Sequence, residues 1–96
     1  MNPQRGEIAL EIEGETYTLC LTLGALAEIE GALGCESLKD LTARLKAISA
    51  RDLSLLLAAL LRGGGAPGMA ARISEAAISP KRALEAVLAC FREAAP

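Results

Sequence analysis

The chain has 96 residues, 52% of them hydrophobic, yet one Tyr, one Phe and no Trp, so its core must be built from Leu, Ile and many Ala. A net charge of −2, with Lys and Arg scattered singly or in pairs and no basic cluster, argues against a nucleic-acid surface. The absence of histidine removes the usual general base and the commonest metal ligand together. Ala packs closely but buries little area, so a chain of this composition is expected to lean on a partner or on copies of itself.

The opening MNPQRGE lacks the apolar stretch of a secretory signal. Glu7 to Glu13, EIALEIE, then alternates with Ile8, Leu10 and Ile12 on one face. Thr16 to Leu23, TYTLCLTL, does the same with Tyr17, Leu19, Leu21 and Leu23. A tight Gly14–Glu15 turn between them predicts an antiparallel hairpin in which Ile12 faces Tyr17, Leu10 faces Leu19 and Ile8 faces Leu21. All three apolar pairs then fall on one side. The acidic residues Glu7, Glu11, Glu13 and Glu15 make this hairpin locally negative, either as a solvated strand face or as a surface for a basic partner.

From Gly24 the period changes to that of a helix, with Ala25, Leu26, Ile29, Ala32 and Leu33 inward, Thr22 placed to cap and Gly34 placed to stop it. Ser37 with Asp40 starts a second helix whose stripe is Leu38, Leu41, Leu45 and Ile48. Ser49 with Asp52 starts a third, running to about Arg62. That helix is apolar almost all round: Leu53, Leu56, Leu57 and Leu60 face inward, Leu55 points away and Leu61 lies on a flank. Two readings stay open for it, a second contact surface or cover by later helices of the same chain.

RGGGAPG, residues 62–68, reads as a flexible, solvent-exposed breaker. A short helix follows from Met69 to about Ala77, with Met69 and Ile73 inward. Ser79-Pro80 restarts a last helix burying Leu84, Val87, Leu88 and Phe91. The expected fold is α+β: a two-stranded antiparallel hairpin (residues 6–23) packed against four to five short helices (24–95), as one domain over 1–96.

Chemistry is scarce. Cys20, Cys35 and Cys90 have no close-spaced partner and read as small hydrophobes in a reducing compartment. The triple glycine lacks the Lys-Ser/Thr ending of a phosphate loop and follows a helix rather than a strand. Glu28 and Glu30 point in different directions on a helix and read as solvated surface. No catalytic residue, cofactor site or metal site is expected. The longest apolar run, Leu53 to Leu61, is too short to span a bilayer, so a cytoplasmic, membrane-free protein is expected.

Four segments resemble one family in order and spacing. RGEIALEIEGETYTLCLTLGALAEIEGALG, and within it LTLGALAEIE (Leu21 to Glu30), is similar to the opening of the small tail proteins of gene transfer agents and related prophages. The LKDLTARL segment (Leu38 to Leu45) and SARDLSLLLAALLRGGG (Ser49 to Gly65) resemble it further. The resemblance implies a non-enzymatic role in tail morphogenesis, as a tail assembly chaperone holding the tape-measure protein or as a structural minor tail or tail tube component. A generic small interaction domain is the remaining alternative. The implied partners are the tape-measure protein, the tail tube and further copies of the chain. The implied location is the bacterial host cytoplasm or a virion-like particle. Contact residues expected from the sequence are Leu55 and Leu61 on the third helix, and Glu11 and Thr18 on the hairpin.

Overall fold

The computed structural model describes residues 7–94. The Met1–Gly6 segment and Ala95, which bound the expected hairpin and last helix, lie outside the described residues, as does the side chain of Leu38. Two strands come first, β1 (Glu7–Ile12) and β2 (Glu15–Cys20), followed by α1 (Leu23–Leu33), α2 (Leu38–Leu45), α3 (Ala50–Gly63), α4 (Pro67–Ala71), a 3-10 turn (Ile73–Glu75) and α5 (Pro80–Ala94). The α+β expectation is therefore met.

The strands pair antiparallel, with Ile12 opposite Glu15, Leu10 opposite Tyr17 and Ile8 opposite Leu19. This register is slipped by two positions from the expected one, because the loop is Glu13–Gly14 rather than Gly14–Glu15. Both loop residues have positive φ, 53° and 85°, which a type I′ turn requires and which matches the twist of the flanking strands. A slip of two preserves side-chain parity, so the apolar face survived the error: Leu10, Ile12 and Leu19 are buried and Ile8 and Tyr17 pack beside them. The strand end did not survive it. β2 stops at Cys20, and Leu23 is the first residue of α1, 83% exposed.

Helix starts follow local chemistry. Thr22 Oγ1 accepts from the Ala25 amide at 3.0 Å, Ser37 Oγ from Asp40 at 3.2 Å, and Ser49 Oγ from Asp52 at 3.0 Å. Gly34 ends α1 in the left-handed region at φ 70°, and the Cys35 amide donates to the Glu30 carbonyl at 2.9 Å. Ser79 caps α5 through the Arg82 amide, with Pro80 as the first helical residue.

α3 is the central element, packed against α1, α4, α5, β2 and the 3-10 turn. That encirclement is why it is apolar all round. Leu53, Leu56, Leu57, Ala58, Ala59, Leu60 and Leu61 are all buried, so cover by the rest of the chain accounts for these, while Leu55 stays exposed. Complete burial of Leu56, Leu60 and Leu61 is worth about 2 kcal/mol each in transfer energy. The position of Leu61 on an outer flank is accordingly corrected to a core position, 0% exposed.

α5 crosses β1 and α3 through its small residues. Ala83, Ala86, Val87 and Cys90 are buried, whereas Leu84, Leu88 and Phe91 are only partly covered. The expected stripe is thus rotated by one position, because Ala and Cys allow the helix axis closer to the hairpin than Leu would.

Candidate interaction surface

The two edges of the hairpin differ, and glycine makes the difference. With Ile12 and Glu15 closing the turn as a hydrogen-bonded pair, the alternation of the ladder turns the backbone groups of Thr16, Thr18 and Cys20 outward on β2, and those of Glu7, Ala9 and Glu11 outward on β1. The end of α3 lies against the β2 edge. A Cβ placed on Gly63 would stand 2.3 Å from the Cys20 carbonyl oxygen, and one on Gly64 would stand 1.9 Å from that of Thr18. Only glycine permits this approach. The triple glycine is therefore a packing surface, and the expectation of a solvent-exposed linker is corrected: Gly63 and Gly64 are half-buried.

Among the described residues nothing covers the β1 edge in this way. Ala9 and Glu11 are exposed, and neither has a hydrogen-bonding partner outside the ladder among the described residues. Their side chains share the solvent face of the hairpin with Glu7 and Thr16, giving that face a negative charge.

Charged side chains that resembled loose surface instead join distant elements. Glu13, at the hairpin turn, accepts from Arg72 Nη2 at 2.8 Å and from the Ala77 amide at 3.0 Å, tying the turn to the α4–α5 connection. These two hydrogen bonds, the Arg72 bond foremost, hold the Glu13 carboxyl below its ordinary value. Glu28 on α1 and Arg62 on α3 form a two-pronged pair, which lowers the Glu28 pKa in the same way. Arg44 on α2 reaches Asp52 at 3.1 Å and donates through Nη1 to the Leu33 carbonyl at 2.9 Å, satisfying an end carbonyl of α1.

Two shallow clefts accompany these elements. One, about 190 Å³, is lined mainly by apolar side chains, among them Leu53, Leu57, Ile73 and Ile78, with Ser54 and Ser74 beside them. The other lies between α1 and α3, where its charged groups, Glu28 and Arg62, already satisfy one another. Cys20 and Cys90 are buried and Cys35 is half-buried. Burial, helped by the neighbouring Cys20, pushes the Cys90 thiol up to about 12, which keeps it protonated and inert as a nucleophile. Among the described residues no group of three potential metal ligands comes together, and no helix is long and apolar enough to cross a membrane.

The four residues expected at contacts occupy different environments. Leu55 is exposed at 36%, on the outer side of α3. Leu61 is inside the core. Glu11 stands on the open β1 edge, whereas Thr18 is half-buried on β2 with its carbonyl facing Gly64. Sequence reasoning missed Leu23, the most exposed large apolar residue, by extending β2 through it. The signal that finds it is Thr22: a residue directly after an N-cap opens a helix and has left the strand's alternation.

An open strand edge and isolated exposed leucines, on a scaffold in which Glu13, Glu28 and Asp52 are each held by an arginine, offer contacts to other proteins. Comparison with known families is specific about the setting: residues 5–94 match the family described as phage tail tube protein, GTA-gp10. The chain belongs to that family, and so to the tail proteins of phages and gene transfer agents. No curated protein and no solved structure matches the chain.

Proposed function

We propose that the chain is a structural component of a phage-like tail, retained in the assembled particle and working through contacts with other tail proteins. The observation that carries this reading is the match of residues 5–94 to a family described as a tail tube protein. The clamps support it from a different side. Glu13, Glu28 and Asp52 are each engaged by an arginine from a different part of the fold, in contacts that join elements. Its partners in this reading are the tail tube, the tape-measure protein and further copies of itself, met in the host cytoplasm before assembly. Quantitative mass spectrometry of purified particles tests it: the chain should be present in amounts comparable to the other tube proteins, and its absence would overturn the reading.

A second reading, a tail assembly chaperone that holds the tape-measure protein, is favoured by Leu23 and Leu55, large apolar side chains left exposed in a small protein. It expects the chain to be missing from particles but to co-purify with the adjacent long helical tail protein on co-expression. In that case Leu55→Glu should weaken the association. Unchanged association would remove α3 from the contact.

A further inference from the structure

The inequality of the two hairpin edges goes beyond the question of tail component or chaperone. We infer that the β1 edge at Ala9 and Glu11 accepts an extended segment of a different protein as a third strand, and that this segment carries Lys or Arg at the position opposite Glu11.

Three observations lead there. First, β1 exposes outward backbone groups at Ala9 and Glu11 that have no partner among the described residues, while β2 is blocked by the backbone of Gly63 and Gly64. A two-stranded sheet with one closed and one open edge can grow in one direction only.

Second, a further copy of the chain fits this edge poorly. A symmetric pairing through β1 must be antiparallel, and its fullest register sets Ala9 against Ala9 and Glu7 against Glu11, twice over. Like charges directly opposite one another on one face are repulsive. The asymmetric alternative, β1 of one copy on β2 of the next, is closed by Gly64. The hairpin is thus guarded against itself on both sides.

Third, the exposed Glu11 selects a partner by charge. A basic side chain at the facing position makes a cross-strand pair where a second copy would place a like charge. Apolar residues at the alternate positions of the incoming strand would extend the inner face beside Ile8, which is only half-buried at the sheet margin.

The test uses the full chain, isotopically labelled, and two synthetic peptides, one of alternating Lys and Val and one of alternating Glu and Val. The Lys–Val peptide should slow hydrogen exchange at the Ala9 and Glu11 amides, and the Glu–Val peptide should not. Ala9→Pro deletes an outward donor at an edge position where proline is tolerated, so it should keep the native circular dichroism while weakening the Lys–Val peptide about fivefold or more. Glu11→Lys should shift preference toward the Glu–Val peptide. Equal binding of the two peptides to the unaltered chain, or protection elsewhere than β1, would overturn the inference. So would a dimer of the unaltered chain that Ala9→Pro dissociates, since a second copy would then hold the edge. None of these measurements involves a particle, so they stand or fall separately from the test of tail retention.

Discussion

Gly64→Ala separates the packed structure from a flexible linker more sharply than any other single substitution. Gly64 has φ −89°, a value alanine adopts freely. In an open loop the replacement would therefore stabilise the protein by about 0.4–1 kcal/mol, through the reduced entropy of the unfolded chain. Here the new Cβ lies 1.9 Å from the Thr18 carbonyl oxygen and 2.6 Å from its carbon. Both are backbone atoms inside a strand, so no rotamer change relieves the clash. The end of α3 and β2 must separate by about 1 Å, which opens the packing between the central helix and the strand that carries the buried Leu19 and Cys20. Overpacking of this kind costs about 1–3 kcal/mol, and the backbone nature of the contact places the net effect near the upper part of that range. For a domain of this size each kcal/mol moves the melting temperature by roughly 4–8 °C, so a fall of about 10 °C or more is expected. Gly31→Ala provides the control. Gly31 lies inside α1 with nothing within 4 Å of its would-be Cβ, and alanine there should stabilise by about 0.5–1 kcal/mol. Thermal and urea denaturation of the two variants beside the parent decide the matter. If Gly64→Ala melts at or above the parent temperature, the contact between α3 and β2 is not as described.

Two further outcomes follow from burial and charge. Leu61→Ala should destabilise by about 2–5 kcal/mol by emptying a fully enclosed site, whereas Leu55→Ala, 36% exposed, should cost about 1 kcal/mol or less; urea denaturation distinguishes them, and equal losses would contradict the core position of Leu61. Glu13 and Glu28 both have carboxyl pKa values lowered from the ordinary 4.5 in the folded state, so their contribution is fully present above that pH and is lost as pH falls through the folded values. A Glu13→Gln, Glu28→Gln double variant should therefore show a shallower decline in melting temperature below about pH 4.5 than the parent, and parallel curves would refute the two clamps.

The residues divide between those whose structural role is local and those whose role depends on distant neighbours. Thr22, Ser37, Ser49, Ser79-Pro80 and Gly34 mark helix ends through hydrogen bonds spanning three to five residues, and each is found where its chemistry predicts. The apolar face of the hairpin is equally local, since alternation alone assigns Ile8, Leu10, Ile12, Tyr17 and Leu19 to one side and tolerates a slip of two. The choice of Glu13–Gly14 for the turn is different. Glutamate is an unusual residue at positive φ, and it is held there by Arg72 and Ala77, about sixty residues further along the chain.

The same limit governs the candidate surface. Sequence by itself determined the α+β class, the starts of the capped helices and a resemblance to tail proteins, because all of these rest on short-range pattern or on order along the chain. Tertiary structure alone decided that α3 is packed on by five other elements, that Leu61 is core while Leu23 is bare, and that α3 closes one hairpin edge while no described residue closes the other. The physical reason is that a leucine stripe or a run of glycine has no intrinsic direction. Whether it meets water, a helix or the carbonyl of Thr18 is set by which distant backbone comes to rest beside it.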